Sequence, residues 1–242
     1  MAAHCRAVID AAGSACVAVK PQVACFERLG APGWEALRAT AEHARAAGLL
    51  VLADAKRGDI DISAQRYAEA FLSEGGLEAD ALTVNPYLGA DSLEPFVAAA
   101  RANGAGLFVL VRTSNPGAAD LQDLELAAGG RVWEHTAKLV DGLGTAGDSG
   151  LSEVGAVVGA TAPEHLARAR ELMPNAVFLL PGIGAQGGRV EDLAPAFAPG
   201  RAGGLVTSSR SIVFAFERDG GEPAGAARAE AERLRGAAWA LA

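Results

Sequence analysis

Two carboxylates flank a lysine in segment 54–60, where Asp54, Lys56 and Asp59 directly follow a short apolar run. Parallel α/β enzymes keep catalytic groups at such positions. Carboxylates on both sides favour the charged form of the lysine. Lys20, at the end of the preceding apolar run, can extend the group into an alternating array of positive and negative charges. The alternative interpretation is an exposed loop with ordinary surface ion pairs.

A glycine-rich segment, 181–188, follows the penultimate apolar run, and Arg210 follows the last one. Barrel enzymes often bind phosphate in the loops after these two strands, through backbone N–H groups and a helix N-terminus. The Arg210 guanidinium can add a bidentate charged contact. These residues predict a phosphate site, and a glycine-rich turn beside a surface arginine is the alternative.

A third polar segment, 113–117, follows another apolar run and contains Ser114, whose hydroxyl can hydrogen-bond the polar edge of a ring. The same Thr-Ser-Asn-Pro-Gly sequence is also typical of a plain turn. The histidines lie in helical or terminal stretches without metal-ligand spacing, so we predict no metal site. They are His4, His43, His135 and His165.

Short apolar runs alternate with amphipathic stretches along the whole chain. The predicted strands are 15–20, 49–54, 81–85, 107–113, 154–159, 177–181 and 204–208. The predicted helices are 33–47, 62–73, 92–103, 131–143, 163–172, 190–196 and 223–240. This alternation favours parallel strands with right-handed crossovers. Because nearly every strand ends in polar residues, the pattern indicates a closed (β/α)₈ barrel, known as a TIM barrel, rather than an open sheet with one ligand crevice.

A helical pattern at 3–12 precedes the first predicted strand, whereas an eight-stranded barrel needs one more strand before it. We therefore expect an α/β TIM (β/α)₈ barrel that lacks its first strand in the chain as given. A start codon further upstream, a fragment, and closure with seven strands are the three explanations that remain open.

Composition narrows the class of protein. The 242 residues are enough for one α/β domain, so 1–242 is predicted to be a single barrel domain. A net charge of −8 without a cationic stripe argues against nucleic acid as a partner. No run of apolar residues is long enough to predict a membrane span. The odd cysteine count (Cys5, Cys16, Cys25) argues against a disulfide framework and for a cytoplasmic location.

Taken together, these segments resemble the orotidine 5'-phosphate decarboxylase family, from about residue 3 to the C-terminus. The Lys-Arg-Gly-Asp-Ile form of the loop, with Lys-Pro-Gln before it, looks like the bacterial subgroup that includes actinobacterial enzymes. The resemblance rests on segments 20–22, 54–60, 84–89, 113–117, 181–188 and 209–211.

This resemblance implies a lyase that converts orotidine 5'-phosphate to uridine 5'-phosphate in de novo pyrimidine biosynthesis (EC 4.1.1.23), without a cofactor. In the family, the lysine matching Lys56 protonates the ring carbon that loses CO₂. The residues matching Lys20, Asp54 and Asp59 complete a charged tetrad around it. The second aspartate acts across a homodimer interface in the family, so the resemblance places Asp59 in the neighbouring subunit's site.

The resemblance also assigns the remaining substrate contacts. Ile60 and Ser63 are expected close to the shared site, and Ser114 is expected at the pyrimidine edge. The phosphate is assigned to Gln186 and Arg210, with Gly184 and Gly187 as further substrate-binding positions. Family members also carry an aspartate at the end of the first strand that helps hold the ribose hydroxyls, and this chain has no counterpart to it.

Two other interpretations stay open. One is another sugar-phosphate barrel enzyme, such as a ketogulonate-phosphate decarboxylase or a hexulose-phosphate synthase, which shares a related Asp-x-Lys-x-x-Asp segment and uses Mg²⁺. The segments around Ser114 and Gln186 favour orotidine 5'-phosphate over that class. The other is a non-catalytic or N-terminally truncated remnant, although a decaying gene would not be expected to keep all of the charged residues together.

Overall fold

The computed structural model describes residues 1–161, 163–184 and 187–241. Within them, seven strands form one sheet in which each strand pairs in parallel with the next one along the chain. This confirms the predicted β/α alternation and the barrel class. The strands are β1 (Ala18–Val19), β2 (Leu50–Arg57), β3 (Ala81–Val84), β4 (Gly106–Arg112), β5 (Ser152–Val158), β6 (Ala176–Leu180) and β7 (Gly204–Val206).

Helices follow the strands, as parallel connections require. They are α1 (Ala2–Ala12), α2 (Val23–Glu27), α3 (Ala31–Ala46), α4 (Asp61–Leu72), α5 (Ala90–Ala102), α6 (Val132–Leu143), α7 (Pro163–Leu172), α8 (Arg210–Val213), α9 (Ala215–Asp219) and α10 (Pro223–Trp239). Four 3₁₀ turns complete the connections: Gly13–Ala15, Pro116–Asp120, Val190–Phe197 and Arg201–Gly203.

The curled sheet buries side chains on both of its faces. On the inner face, Leu52, Phe108, Val157 and Leu179 pack together from four different strands. On the outer face the helices contribute apolar stripes at the helical period. In α5, for example, the buried positions include Leu93, Phe96, Val97 and Ala100. Because both faces are covered, the strands are continuous apolar runs, which is why they were visible in the sequence.

The sheet is open at one seam. In the part of the chain that the structure describes, no ladder joins β7 to β1. The helical layer nevertheless continues across this seam, because α1 packs against α10. Ala12, Ala15 and Ala231 form a small buried cluster there, and Arg228 Nε donates to the Ala11 carbonyl at 3.1 Å.

Some predicted boundaries were wrong. The first strand is two residues long rather than the predicted 15–20, and Ala15 belongs to a 3₁₀ turn, because small apolar residues suit a turn as well as a strand. The predicted helix 190–196 is a 3₁₀ segment containing Pro195, which has no N–H to donate within a helix. The short helix α2 was not predicted, since five residues are too few to show a helical period.

Arg170 anchors the end of the barrel where β6 and β7 begin. Its guanidinium is buried and lies over the Phe178 ring, with the guanidinium carbon 3.9 Å from the ring centroid. Burial lowers the pKa of Arg170 to about 10. Among the described residues its partners are carbonyl oxygens rather than carboxylates. These belong to Met173 (2.9 Å), Pro174 (3.2 Å), Ala176 (2.7 Å), Ala196 (2.7 Å) and Gly203 (3.1 Å).

The packing inside the sheet predicts that one methyl group added at Gly155 lowers the stability of the fold. A Cβ added at Gly155 would lie 2.5 Å from the Val177 carbonyl oxygen and 2.9 Å from the Phe108 ring. Gly155→Ala should therefore lower the free energy of unfolding in urea by about 2 to 3 kcal/mol through overpacking. The matched control is Gly236→Ala in α10, where nothing lies within 4 Å. The control should raise stability by about 0.5 to 1 kcal/mol, and equal unfolding midpoints for the two variants would contradict this packing.

Candidate active site

Two lysines converge on one carboxylate where β1 and β2 end. The Lys20 ammonium nitrogen lies 2.6 Å from Asp54 Oδ2, and the Lys56 ammonium donates to Asp54 Oδ1. Burial raises the pKa of Asp54, but the charge and hydrogen bond of Lys20, followed by those of Lys56, outweigh burial and hold the pKa below its ordinary value. Asp54 is therefore ionised at neutral pH, and three of the four predicted charged residues lie together.

A bulge in β2 presents these side chains. Ala53 is opposite Leu82 on β3, whereas Arg57 is opposite Val84, so the three residues 54–56 face the single residue Thr83. Lys56 has a φ of +49°, a left-handed conformation that is unusual for a residue other than glycine. Such bulges redirect side chains next to active sites. The bulge and the left-handed conformation of Lys56 together set the direction of its side chain.

Thr83 was not predicted from the sequence, although it bridges Asp54 and Lys56. Its side chain is buried, its hydroxyl oxygen accepts from the Lys56 backbone N–H at 2.9 Å, and its hydroxyl group donates to Asp54 Oδ1 at 3.2 Å. The one signal available in the sequence was a polar residue within the apolar run 81–84.

Asp59 lies apart from the two lysines. Its Oδ1 accepts from the Ile60 backbone N–H at 2.8 Å, and among the described residues Asp59 has no ion pair with Lys20 or Lys56. The chain reaches it through Gly58, where a Cβ would lie 3.0 Å from the Asn85 carbonyl oxygen. Within one chain, therefore, the structure brings together three members of the predicted tetrad and leaves the fourth outside it.

The residues next to Asp59 are also accessible. Ile60 is 49% exposed although it is apolar, and Ser63 is exposed on the first turn of α4. Neither side chain is directed into the packed interior of its own barrel. The two positions predicted to lie near a shared site are thus open to a partner.

Arg57 holds the same loop from the opposite side. Its guanidinium pairs with Glu27 of α2 and lies 5.3 Å from the Tyr67 ring centroid and 5.4 Å from that of Phe71, both on α4. Arg57 therefore points into the helical layer and fixes the segment that carries Lys56.

The Ser114 loop is clamped from two sides. On the β5 side, Gly159 approaches so closely that a Cβ there would lie 2.8 Å from Ser114 Cα, and Thr161 Oγ1 donates to the Ser114 carbonyl at 3.3 Å. The other side is held by Arg112, which forms a bidentate pair with Asp123 at 2.9 and 2.8 Å. The Arg112 hydrogen bond comes first among the causes that lower the pKa of Asp123, so this clamp is charged at neutral pH.

The loops after β6 and β7 meet. A Cβ at Gly184, where φ is +74°, would lie 3.4 Å from Ser211, which follows the exposed Arg210 in α8. The Gly184 N–H donates to the Gly188 carbonyl at 3.0 Å and the Gly187 N–H to the Gly184 carbonyl at 2.8 Å, so both amides have partners within the turn. Gln186 lies outside the described residues.

The described residues offer neither a metal centre nor a membrane-spanning helix. No group of three or more His, Cys, Asp or Glu side chains in 1–161, 163–184 and 187–241 is arranged to hold a metal ion. Across the same residues, every helix is too short or too polar to cross a membrane. Two of the histidines have structural contacts: His43 lies 2.6 Å from Asp10, and His165 packs edge-on against Trp133.

Comparison with known proteins identifies the family. The family described as "Orotidine 5'-phosphate decarboxylase / HUMPS family" matches residues 2–227. The orotidine 5'-phosphate decarboxylase of Deinococcus radiodurans is 48% identical over 231 residues, which cover 95% of this chain and 83% of that protein. The protein of the same name from Rhodopirellula baltica is 46% identical over 222 residues, which cover 89% of this chain and 73% of that protein.

A solved structure agrees with these relatives. The structure of Leishmania donovani OMP decarboxylase superposes with a TM-score of 0.79 at 34% identity and covers 98% of this chain and 87% of that one. The family expected from the sequence motifs is thereby confirmed: the chain belongs to the orotidine 5'-phosphate decarboxylase / HUMPS family.

Proposed function

We propose that the protein decarboxylates orotidine 5'-phosphate to uridine 5'-phosphate, with Lys56 as the proton donor to the ring carbon. The reaction is that of orotidine-5'-phosphate decarboxylase (EC 4.1.1.23), a lyase of de novo pyrimidine biosynthesis, and it follows from the family and from the names of the relatives. The observation that carries the role of Lys56 is its ion pair with a partly buried, ionised Asp54 that Lys20 also contacts.

The chemistry requires a fixed positive charge. Loss of CO₂ from the pyrimidine leaves a carbanion at a carbon without an ordinary electron sink, so the protein must stabilise charge at one atom. An ammonium group can stabilise the developing carbanion and then give it a proton. Lys56 is about half exposed, which leaves its amine accessible to a substrate, while Asp54 orients it. A lysine in this role makes a cofactor unnecessary.

Two further substrate contacts are supported by the position of their loops. Ser114 is clamped at the end of β4, which suits a contact to the pyrimidine edge. Arg210 is exposed beside the glycine-rich loop, which suits a contact to the phosphate. Gly184, Gly187 and Gln186 are assigned to the same site by the family resemblance. Phosphate binding far from the reacting carbon supplies energy that can order the loops around the ring.

The active unit in this proposal is a homodimer with shared sites. Among the described residues Asp59 has no ion pair with a lysine of its own chain, and the segments after β2 and β3 expose four large apolar side chains: Ile60 (49% exposed), Ile62 (70%), Tyr87 (76%) and Leu88 (48%). Exposed apolar patches of this kind mark protein interfaces. A second copy would cover the patch and receive Asp59 next to its own Lys56.

Three further assignments belong to the same proposal. We infer that residues 1–242 form one barrel domain, supported by the continuous order of the strands. We infer a cytoplasmic location from the pathway and from the cysteines, which are unpaired at all three positions. Membership of the bacterial subgroup with the Lys-Arg-Gly-Asp-Ile loop stays a prediction.

Lys56→Ala should abolish turnover of orotidine 5'-phosphate while the protein stays folded. Electrostatic stabilisation and general acid catalysis each commonly contribute about 10²-fold or more, and the variant loses both. The measurement is loss of substrate absorbance in a buffer containing EDTA, beside circular dichroism. The control is Lys138→Ala on the exposed face of α6, which should keep wild-type turnover. A Lys56→Ala enzyme with near-normal turnover would rule out the assigned role.

Asp59→Ala should complement Lys56→Ala when both are present in one dimer. The mixed dimer then holds one site with both changes and one site with Lys56 and the partner's Asp59 intact. Heterodimers isolated by two affinity tags should recover about half of the wild-type activity, because a two-fold dimer has two equivalent sites. Heterodimers as inactive as their parents would show that Asp59 acts within its own chain.

Arg210→Ala should lower kcat/KM for orotidine 5'-phosphate by about 10²-fold, since a charge-assisted bidentate contact is lost. The same change should leave kcat/KM for the nucleoside orotidine unaltered, because the nucleoside has no phosphate. Arg38→Ala on the exposed face of α3 serves as the control for loss of a surface charge. An equal loss of kcat/KM on both substrates would contradict a contact between Arg210 and the phosphate.

A further inference from the structure

Thr83 is a buried threonine whose hydroxyl makes two polar contacts inside the candidate site. Its side chain is 1% exposed, and its single hydroxyl serves both the Lys56 backbone and the Asp54 carboxylate. The hydroxyl oxygen accepts from the Lys56 N–H at 2.9 Å, and its proton is donated to Asp54 Oδ1 at 3.2 Å. One hydroxyl thus links the backbone of the lysine to the carboxylate that its ammonium contacts.

The bulge in β2 explains why a side chain is needed here. Residues 54–56 face Thr83 alone, so β3 cannot supply a backbone acceptor for each of them. A buried N–H without a partner costs free energy comparable to a lost hydrogen bond. The left-handed φ of Lys56 adds strain that surrounding contacts must offset. The Thr83 hydroxyl is the group that takes the Lys56 N–H in this conformation.

Thr40 shows the ordinary behaviour of a buried threonine in the same protein. It is 3% exposed, and its hydroxyl donates to the carbonyl of Ala36, one turn earlier in α3, at 2.7 Å. That contact satisfies the hydroxyl and touches no charged group. Thr40 is therefore a matched control for Thr83, with the same residue type, nearly the same burial and no link to the site.

We propose that Thr83 is a positioning residue of the decarboxylation site, which holds the left-handed backbone of Lys56 and the Oδ1 atom of Asp54 in register. This inference rests on the function proposed above. Without the hydroxyl, the bulge relaxes and the ammonium loses the fixed geometry that efficient proton delivery requires. Substrate binding is carried by other loops, so the loss is expected in kcat rather than in KM.

The test compares Thr83→Val, Thr83→Ser and Thr40→Val in steady-state decarboxylation of orotidine 5'-phosphate. Thr83→Val should lower kcat by about 10-fold to 10²-fold with KM changed less than about threefold, as expected when positioning is lost without loss of binding. Thr83→Ser keeps the hydroxyl and should stay within about threefold of wild type in kcat. Thr40→Val should keep wild-type kcat even if its unfolding midpoint falls.

Four outcomes would overturn the inference: wild-type kcat in Thr83→Val, an equal loss in Thr83→Val and Thr83→Ser, a loss matched by Thr40→Val, or a loss confined to KM. If Thr83→Val does not fold, Thr83→Ala and Thr83→Ser give the same comparison, because they differ only by the hydroxyl. A ratio of their kcat values near one would then refute the role. Failure of the proposed function is distinct, since the wild-type enzyme itself would not turn over orotidine 5'-phosphate.

Discussion

A single partly buried carboxylate, Asp54, organises the mouth of this barrel. Asp54 accepts from Lys20 beyond β1, from Lys56 on β2 and from Thr83 on β3, so three successive strands are tied at one side chain. Burial alone would raise the pKa of this carboxyl group, and the two ammonium groups outweigh burial and hold the pKa below its ordinary value. Each charge is needed by the others, because removal of one leaves an uncompensated charge in a partly buried site. The geometry of the candidate site and the packing of these three strand ends therefore depend on the same charges.

Two arginines that have no proposed role in the chemistry support the loops of the candidate site. Arg57 and Lys56 are adjacent in sequence but have different partners: the arginine contacts α2 and α4, and the lysine pairs with Asp54. Arg112 acts similarly for Ser114 through Asp123. In both cases an arginine beside the functional residue makes a bidentate or stacked contact that a lysine could not reproduce. The precision of the site depends on these supporting pairs.

Sequence reasoning succeeded where chemistry and fold share a contiguous signal. The apolar runs of the strands and the motif around Lys56 were visible because burial on both faces and the charge array each leave local patterns. It failed where structure depends on register or on local backbone detail. Nothing in the order of residues 81–84 shows that Thr83 faces a bulge, and Pro195 was not enough to distinguish a 3₁₀ segment from an α-helix. In the proposed dimer, the lysine that Asp59 meets belongs to the second copy, and no local pattern in the sequence of one chain shows such a contact.

Arg170 gives the two ends of the barrel different responses to acid. Its partners are backbone carbonyl oxygens, which do not titrate, so this anchor keeps its hydrogen bonds when carboxylates become protonated. The pairs at the mouth depend on Asp54 and Asp123, whose lowered pKa values mean that their stabilisation is present at neutral pH and is lost as the pH falls through those values. Acidification therefore weakens the contacts around the candidate site first, while the hydrogen bonds of Arg170 at the start of β6 and β7 are kept.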